Sequence, residues 1–198
     1  MHAVPFVIEK SSGGDHCYDI YSRLLNDRII FLGDEIDSDV ATSIVAQMLL
    51  LHQQDPGADV HLYVMSTGGE ACPALAIYDT MQNISCPVAT YCVGMAMSAA
   101  ALLVCGGTKG KRFALPSSRI MIHQPWGVIE GQASDIEIET TEMKRTKSIY
   151  YEHLARHTGK SVSRITKDCD RNRYMSAQEA TKYGLVDRIL TGLPKPKK

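Results

Sequence analysis

The chain has 198 residues, 44% hydrophobic and 22% charged, with a formal net charge of −1. That length and balance suit a single domain with a sizeable apolar core. A net charge so near zero gives no long-range field to gather nucleic acid or anionic lipid, so neither is an expected partner.

The opening residues MHAVPFVIEK lack a basic stretch feeding an apolar run, so no signal peptide is expected. Six cysteines (Cys17, Cys72, Cys86, Cys92, Cys105 and Cys169) contain no CxxC pair. In a reducing, cytoplasmic setting they read as buried small hydrophobes, not as a disulfide or zinc framework.

The first predicted strand is IIFL, residues 29–32. Asp37 or Ser38 then caps a helix with Val40, Ile44, Val45, Met48 and Leu51 on its apolar face, ending before Asp55-Pro56-Gly57. VHLYVM (60–65) is a second strand, 66–69 a turn and 72–82 a second helix. Residues 87–105, PVATYCVGMAMSAAALLVC, are nearly long enough to span a bilayer. Pro87, Gly94 and the change from β-formers to helix-formers favour instead a buried strand (88–93), a tight turn and a buried helix (98–105). After the turn 106–110 come strands 112–116 and 119–123. A long helix is predicted over 134–156, opened by a Ser134/Glu137 capping box and ending before Gly159. A second capping box, Ser176/Glu179, opens a short helix ending at Gly184, and LVDRIL (185–190) is the last strand. Repeated β-then-α units imply a mostly parallel sheet with right-handed crossovers. The LPKPKK end should be solvated and mobile.

Three motifs could carry chemistry. GMAMSAAA (94–101) places Ser98 at a strand-to-helix turn, where the hydroxyl is exposed at the sheet end and the helix N-terminus stabilises negative charge. The spacing is not G-x-S-x-G, and a plain helix cap explains it equally well. MSTGGE (65–70) brings two glycines to a strand end, as half of an oxyanion hole, a phosphate cradle or an ordinary turn. IMIHQP (120–125) ends a strand on His123, at the edge where α/β active sites gather, and a core histidine bonded to backbone explains it equally well.

Taken together, YVMSTGGEACPALAIYDTMQ, CVGMAMSAAALLVCGGTKGKRFALPSSRIMIHQP, GQASDIEIE and RYMSAQEATKYGLVDRIL resemble the ClpP family, the proteolytic subunits of Clp proteases. YDIYSRLLNDRIIFLG agrees with this, and the match covers about residues 4–192. The resemblance implies Ser98 as nucleophile and His123 as general base. It implies an oxyanion hole from the backbone N–H groups of Gly69 and Ala99. The implied fold is a crotonase-like α/β superhelix of repeated β-β-α units with a protruding helical handle. The expected peptidase domain is 1–193: an N-terminal segment of about 1–20, a head of about 21–125 and 160–193, and a handle of about 126–159. A flexible tail would follow at 194–198. The implied assembly is two interlocked seven-membered rings enclosing a chamber for unfolded polypeptide. The chain itself would need no cofactor, ATP being used by a partner AAA+ unfoldase such as ClpX or ClpC.

The sequence departs from that family in three places. Where the triad aspartate is expected, DCDRNRYMS carries Asn172. A neutral amide supports the imidazolium less well than a carboxylate, so weak intrinsic peptidase activity is expected. Asp168 or Asp170 are less well directed substitutes. After HQP the usual L-G-G is Trp126-Gly127-Val128, a change expected either to narrow the substrate groove or to alter which ring the strand pairs with. In the chaperone-docking groove, Leu49, Tyr63, Tyr91, Phe113 and Leu190 stay apolar, but two usual aromatics are His61 and Asn83. Polar groups there cost affinity when desolvated, so poor docking is expected, with a paralogue in mixed rings supplying it. A catalytically quiet ring subunit is the alternative, and a crotonase-type acyl-CoA enzyme a third reading that would not need Ser98 beside His123.

Overall fold

The computed structural model describes residues 4–11 and 14–192; the LPKPKK end lies outside them. The chain opens with a hairpin, β1 (Phe6–Ser11) and β2 (Gly14–Asp19), paired antiparallel from Phe6 opposite Asp19. It leads into α1 (Ile20–Asn26), where Asp19 caps the helix by accepting from the N–H groups of Tyr21 and Ser22. Neither β2 nor α1 buries a residue, so no apolar period marked them in the sequence.

The body is a seven-stranded sheet. Strands β3 (Ile29–Leu32), β4 (Val60–Ser66), β5 (Val88–Met97), β6 (Arg112–Ala114) and β9 (Arg188–Ile189) run parallel in that order. β7 (Arg119–Ile122) also pairs with β5 in parallel, and β8 (Arg173–Ser176) adds to β7 antiparallel. The mostly parallel sheet matches the expectation from the β-then-α order.

β5 corrects one expectation. It does not stop at residue 93 but continues through Gly94 to Met97. Gly94, at φ +71°, bends the strand where it changes partner, from β6 at 90–92 to β7 at 95–97. Glycine takes that backbone conformation without steric cost, so the bend occurs inside a strand.

Helices cover one face of the sheet. α2 (Ser38–Gln54), capped by Asp37 on the Val40 N–H, buries Ala41, Ile44, Met48 and Leu51. α3 (Ala71–Asn83) buries Ala74, Ile77, Tyr78 and Met81, and all seven residues of α4 (Ala99–Cys105) are buried. Each fully buried Leu side chain contributes about 1.5–3 kcal/mol, so Leu102 and Leu103 anchor α4 in the core. The opposite face carries an aromatic ladder: Phe31, Tyr63, Tyr91 and Phe113 stand opposite one another on β3 to β6.

α5 (Ala133–Thr158) is 26 residues long and buries only Tyr150, Tyr151 and Leu154, all in its second half. Its first half is largely exposed. The expected Ser134/Glu137 capping box is absent: the helix starts at Ala133, its N-cap is Gln132, and no side chain bonds that end. Beginning a residue earlier puts Ser134 inside the first turn, where its hydroxyl cannot cap. The second box is present, with Ser176 and Glu179 bonding reciprocally at the start of α7 (Ala177–Tyr183). α6 (Val162–Asp168), capped by Ser161, links α5 to β8. β6 and β9 are shorter than expected, although Leu185 and Val186 before β9 remain buried.

Among the cysteines, Cys86, Cys92, Cys105 and Cys169 are buried as expected, whereas Cys17 and Cys72 are exposed. No helix among the described residues is long and apolar enough to cross a membrane.

Candidate active site

The site gathers where β4, β5 and β7 end. Ser98 follows directly on β5 with φ +54° and ψ −123°, a conformation rare for a residue with a side chain. Such strain costs about 1–3 kcal/mol and persists only where the surroundings enforce it. One restraint comes from β7, as the Ser98 N–H donates to the Met121 carbonyl at 2.8 Å. Although Ser98 is the N-cap of α4, its side chain makes no cap bond. The hydroxyl is therefore free for another partner.

That partner is His123, one residue beyond β7. Its Nε2 lies 2.8 Å from Ser98 Oγ, and its Nδ1 lies 3.0 Å from Asn172 Oδ1. With an amide oxygen as its neighbour, Nδ1 must carry the proton. Nε2 is then unprotonated and accepts the Ser98 O–H. The opposite amide orientation would present N–H₂ to the ring and favour the other tautomer, in which Nε2 competes with Ser98 as a donor. Whether Nε2 can accept from Ser98 thus depends on which end of Asn172 faces the ring.

Of the described residues around it, His123 Nδ1 bonds Asn172 and neither neighbouring aspartate. Asp168 accepts bonds from Arg164, Arg173 and Tyr183. Burial alone would raise its pKa, but the bonds from Arg164 and Tyr183 and the nearby arginine charges hold it below the usual carboxylate range. Asp170 contributes its main-chain carbonyl, which accepts from Gln124 Nε2 at 2.9 Å. Gln124 also receives Lys147 Nζ on its Oε1 at 2.7 Å and donates its own N–H to the Cys169 carbonyl at 2.6 Å. The loop bearing Asn172 is therefore clamped to α5 through one glutamine.

Gly68 and Gly69 are explained by packing. A Cβ on Gly68 would lie 2.8 Å from Ser98 Cβ and 2.6 Å from the Met97 carbonyl oxygen. A Cβ on Gly69 would lie 2.2 Å from the Ile36 carbonyl oxygen. Both have positive φ, +97° and +149°. The glycines let the loop press against the Ser98 turn and the segment before α2 at once. Among the described residues no acceptor engages the N–H of Gly69 or of Ala99.

Beside Ser98 lies a cavity of about 140 Å³ whose walls include Gly69, Ala74, Leu102, His123, Trp126 and Tyr150. Glu70 is its acidic member. Trp126 and Val128 are both 80% exposed, so this departure from L-G-G places apolar bulk in solvent, with Trp126 also lining the pocket. Burial pushes the Cys92 thiol up to about 11 and those of Cys105 and Cys169 up to about 12, so these three are not thiolates near neutral pH. No group of three or more His, Cys, Asp or Glu among the described residues is placed to hold a metal ion.

On the far face of the sheet, Tyr63, Tyr91, Phe113 and Leu190 form one apolar cluster, and Leu49 lies apart on α2, half exposed. Phe31, not singled out in the sequence, extends the ladder by stacking on Tyr63 at 5.2 Å. His61 Nδ1 bonds the Tyr91 hydroxyl at 2.9 Å. Asn83 turns back to its own helix, donating to the Asp79 carbonyl.

The serine, its histidine and the glycine loop come from segments distant in sequence and meet on one sheet edge. A sequence model of the Clp protease family matches residues 12–192, which include all of these segments, so the chain belongs to the Clp protease family.

Proposed function

We propose that this chain is the serine endopeptidase subunit of a self-compartmentalised, ATP-dependent Clp protease, with low activity on its own. The observation that carries this reading is His123 lying between Ser98 Oγ at 2.8 Å and Asn172 Oδ1 at 3.0 Å. Ser98 Oγ attacks the peptide carbonyl while its proton passes to His123 Nε2. The N–H groups of Gly69 and Ala99 stabilise the oxyanion. His123 then protonates the leaving amine, and water releases the acyl group by the reverse proton path. Asn172 fixes the tautomer but brings no charge to balance the imidazolium, hence the low rate.

Other parts of the molecule fit the same reading. The exposed first half of α5 suits a handle that joins two seven-membered rings, projecting from a crotonase-like superhelical head. The aromatic ladder suits the docking of an AAA+ unfoldase such as ClpX or ClpC, which hydrolyses the ATP and feeds unfolded chains to a cytoplasmic particle. A second reading, a catalytically quiet subunit that supports a paralogue in mixed rings, is favoured by the exposed, uncharged Asn172.

The test is covalent labelling with a fluorophosphonate together with hydrolysis of short fluorogenic peptides. Labelling at Ser98 and slow hydrolysis, both lost in Ser98→Ala, are expected. An assembled particle that neither labels nor hydrolyses would favour the quiet subunit. Hydrolysis that survives Ser98→Ala would sink the serine mechanism.

A further inference from the structure

Tyr150 fills the buried part of α5 and forms one wall of the pocket beside Ser98. From its position on the helix it looks like a core aromatic, a role phenylalanine would fill as well. Its hydroxyl, however, donates to the main-chain carbonyl of Ser98 at 3.0 Å. Burial raises the phenol pKa well above its ordinary value, so the group remains a donor across the working pH range.

The Ser98 carbonyl and the Ala99 N–H are opposite ends of one planar peptide unit. Fixing the direction of the oxygen fixes the direction of the N–H. The oxygen is held from two sides, by Tyr150 and by the Ala101 N–H at 3.0 Å. The Ala101 bond lies within the same short turn and moves with it, whereas Tyr150 reaches in from a separate helix. External restraint matters here because Ser98 has a strained backbone that gains by rotating away. Donation to the carbonyl also polarises the peptide and strengthens its N–H as a donor.

We propose that Tyr150 is a positioning residue of the oxyanion hole: its hydroxyl grips the Ser98 carbonyl and thereby aims the Ala99 N–H at the developing oxyanion. The inference rests on the serine peptidase reading and adds a group that touches neither substrate nor reacting atoms. A donor aimed at charge that exists only in the transition state affects kcat and leaves ground-state binding alone.

The experiment compares the full-length assembled protein with its Tyr150→Phe variant, which keeps the ring and the pocket wall. Peptide kcat and KM, affinity for a peptidyl boronate, and the thermal midpoint are measured on both. The tetrahedral boronate adduct places an oxygen in the oxyanion hole, so it reports on the hole separately from substrate binding. The hydroxyl bond is worth about one ordinary hydrogen bond, so kcat should fall about 5- to 10-fold. Boronate affinity should fall by a similar factor, with KM changed less than about twofold. Unchanged kcat and boronate affinity would overturn the proposal. So would a rise in KM with a lowered thermal midpoint, which would mark Tyr150 as packing alone. The parent reading fails separately, and is recognised by a wild-type protein that no fluorophosphonate labels.

Discussion

Two polar junctions tie the C-terminal third of the chain back to the sheet, and they are built on opposite principles. At the first, Arg112 on β6 is 5% exposed and donates through Nε and Nη2 to Asp187, and through Nη1 to the carbonyls of Cys105, His157 and Gly184. Charge meets charge, and Asp187 also accepts the N–H groups of Gly110 and Arg112. At the second, His123 meets the uncharged amide of Asn172 through a single bond, with Asn172 exposed to solvent. The first junction is saturated and holds the fold. The second is open by comparison, as the proton transfer of the proposed mechanism would require. What the second lacks is the negative charge that the first possesses.

The comparison breaks most visibly at Asp187. Asp187→Ala leaves Arg112 buried and unpaired, and should cost about 3–5 kcal/mol of stability, read as a lower denaturant midpoint. A loss under about 1 kcal/mol would show that water reaches Arg112 freely. The converse change adds charge to the second junction. Asn172→Asp should raise kcat by about 10- to 100-fold, part of the roughly 10⁴ associated with the triad carboxylate in a trypsin-like protease. No gain, with assembly unchanged, would sink the account of the low rate as a missing charge.

A smaller effect tests the surroundings of Arg112. The His157 carbonyl accepts from that arginine, and its Nε2 bonds the Tyr78 hydroxyl at 2.7 Å. Burial, then the charges of Arg112 and Arg156, push its pKa down to about 4. As pH falls below about 6.5, the unfolded chain takes up a proton that the folded chain refuses until about 4. Stability should therefore drop across that window by roughly 1–2 kcal/mol, allowing for solvent screening at this half-buried site. His157→Gln should flatten the drop, checked by denaturant midpoints at both ends of the window. The smallest effect concerns the clamp on the Asn172 loop. Gln124→Ala frees that loop from Lys147 and should lower kcat about fivefold with little change in stability. An equal loss in the Asn172→Ala background would show that Gln124 acts by some route other than the loop.

Much of the scaffold was legible because burial leaves a pattern. The apolar runs of β3 and β4, the α2 face and the Ser176/Glu179 box all appear in the folded chain. Ser98 and His123 are legible as residues, but their pairing is a long-range fact that local spacing leaves open. Only the joint resemblance of several blocks suggested it. The hairpin β1–β2 and helix α1 were invisible because they bury almost nothing. Gly94 was misread because a glycine that bends a strand and one that ends it look alike in sequence. Tyr150 was silent for a different reason: its apolar ring satisfies the helix pattern, and its hydroxyl acts across 52 residues.

The near-zero clearance at Gly68 and Gly69 also bears on engineering. Because the glycine loop is moulded against both the serine turn and residue 36, these three stretches form one interchangeable cassette. A library that diversifies any one of them in isolation will mostly sample misfits. Grafting from another protein should transplant all three segments together.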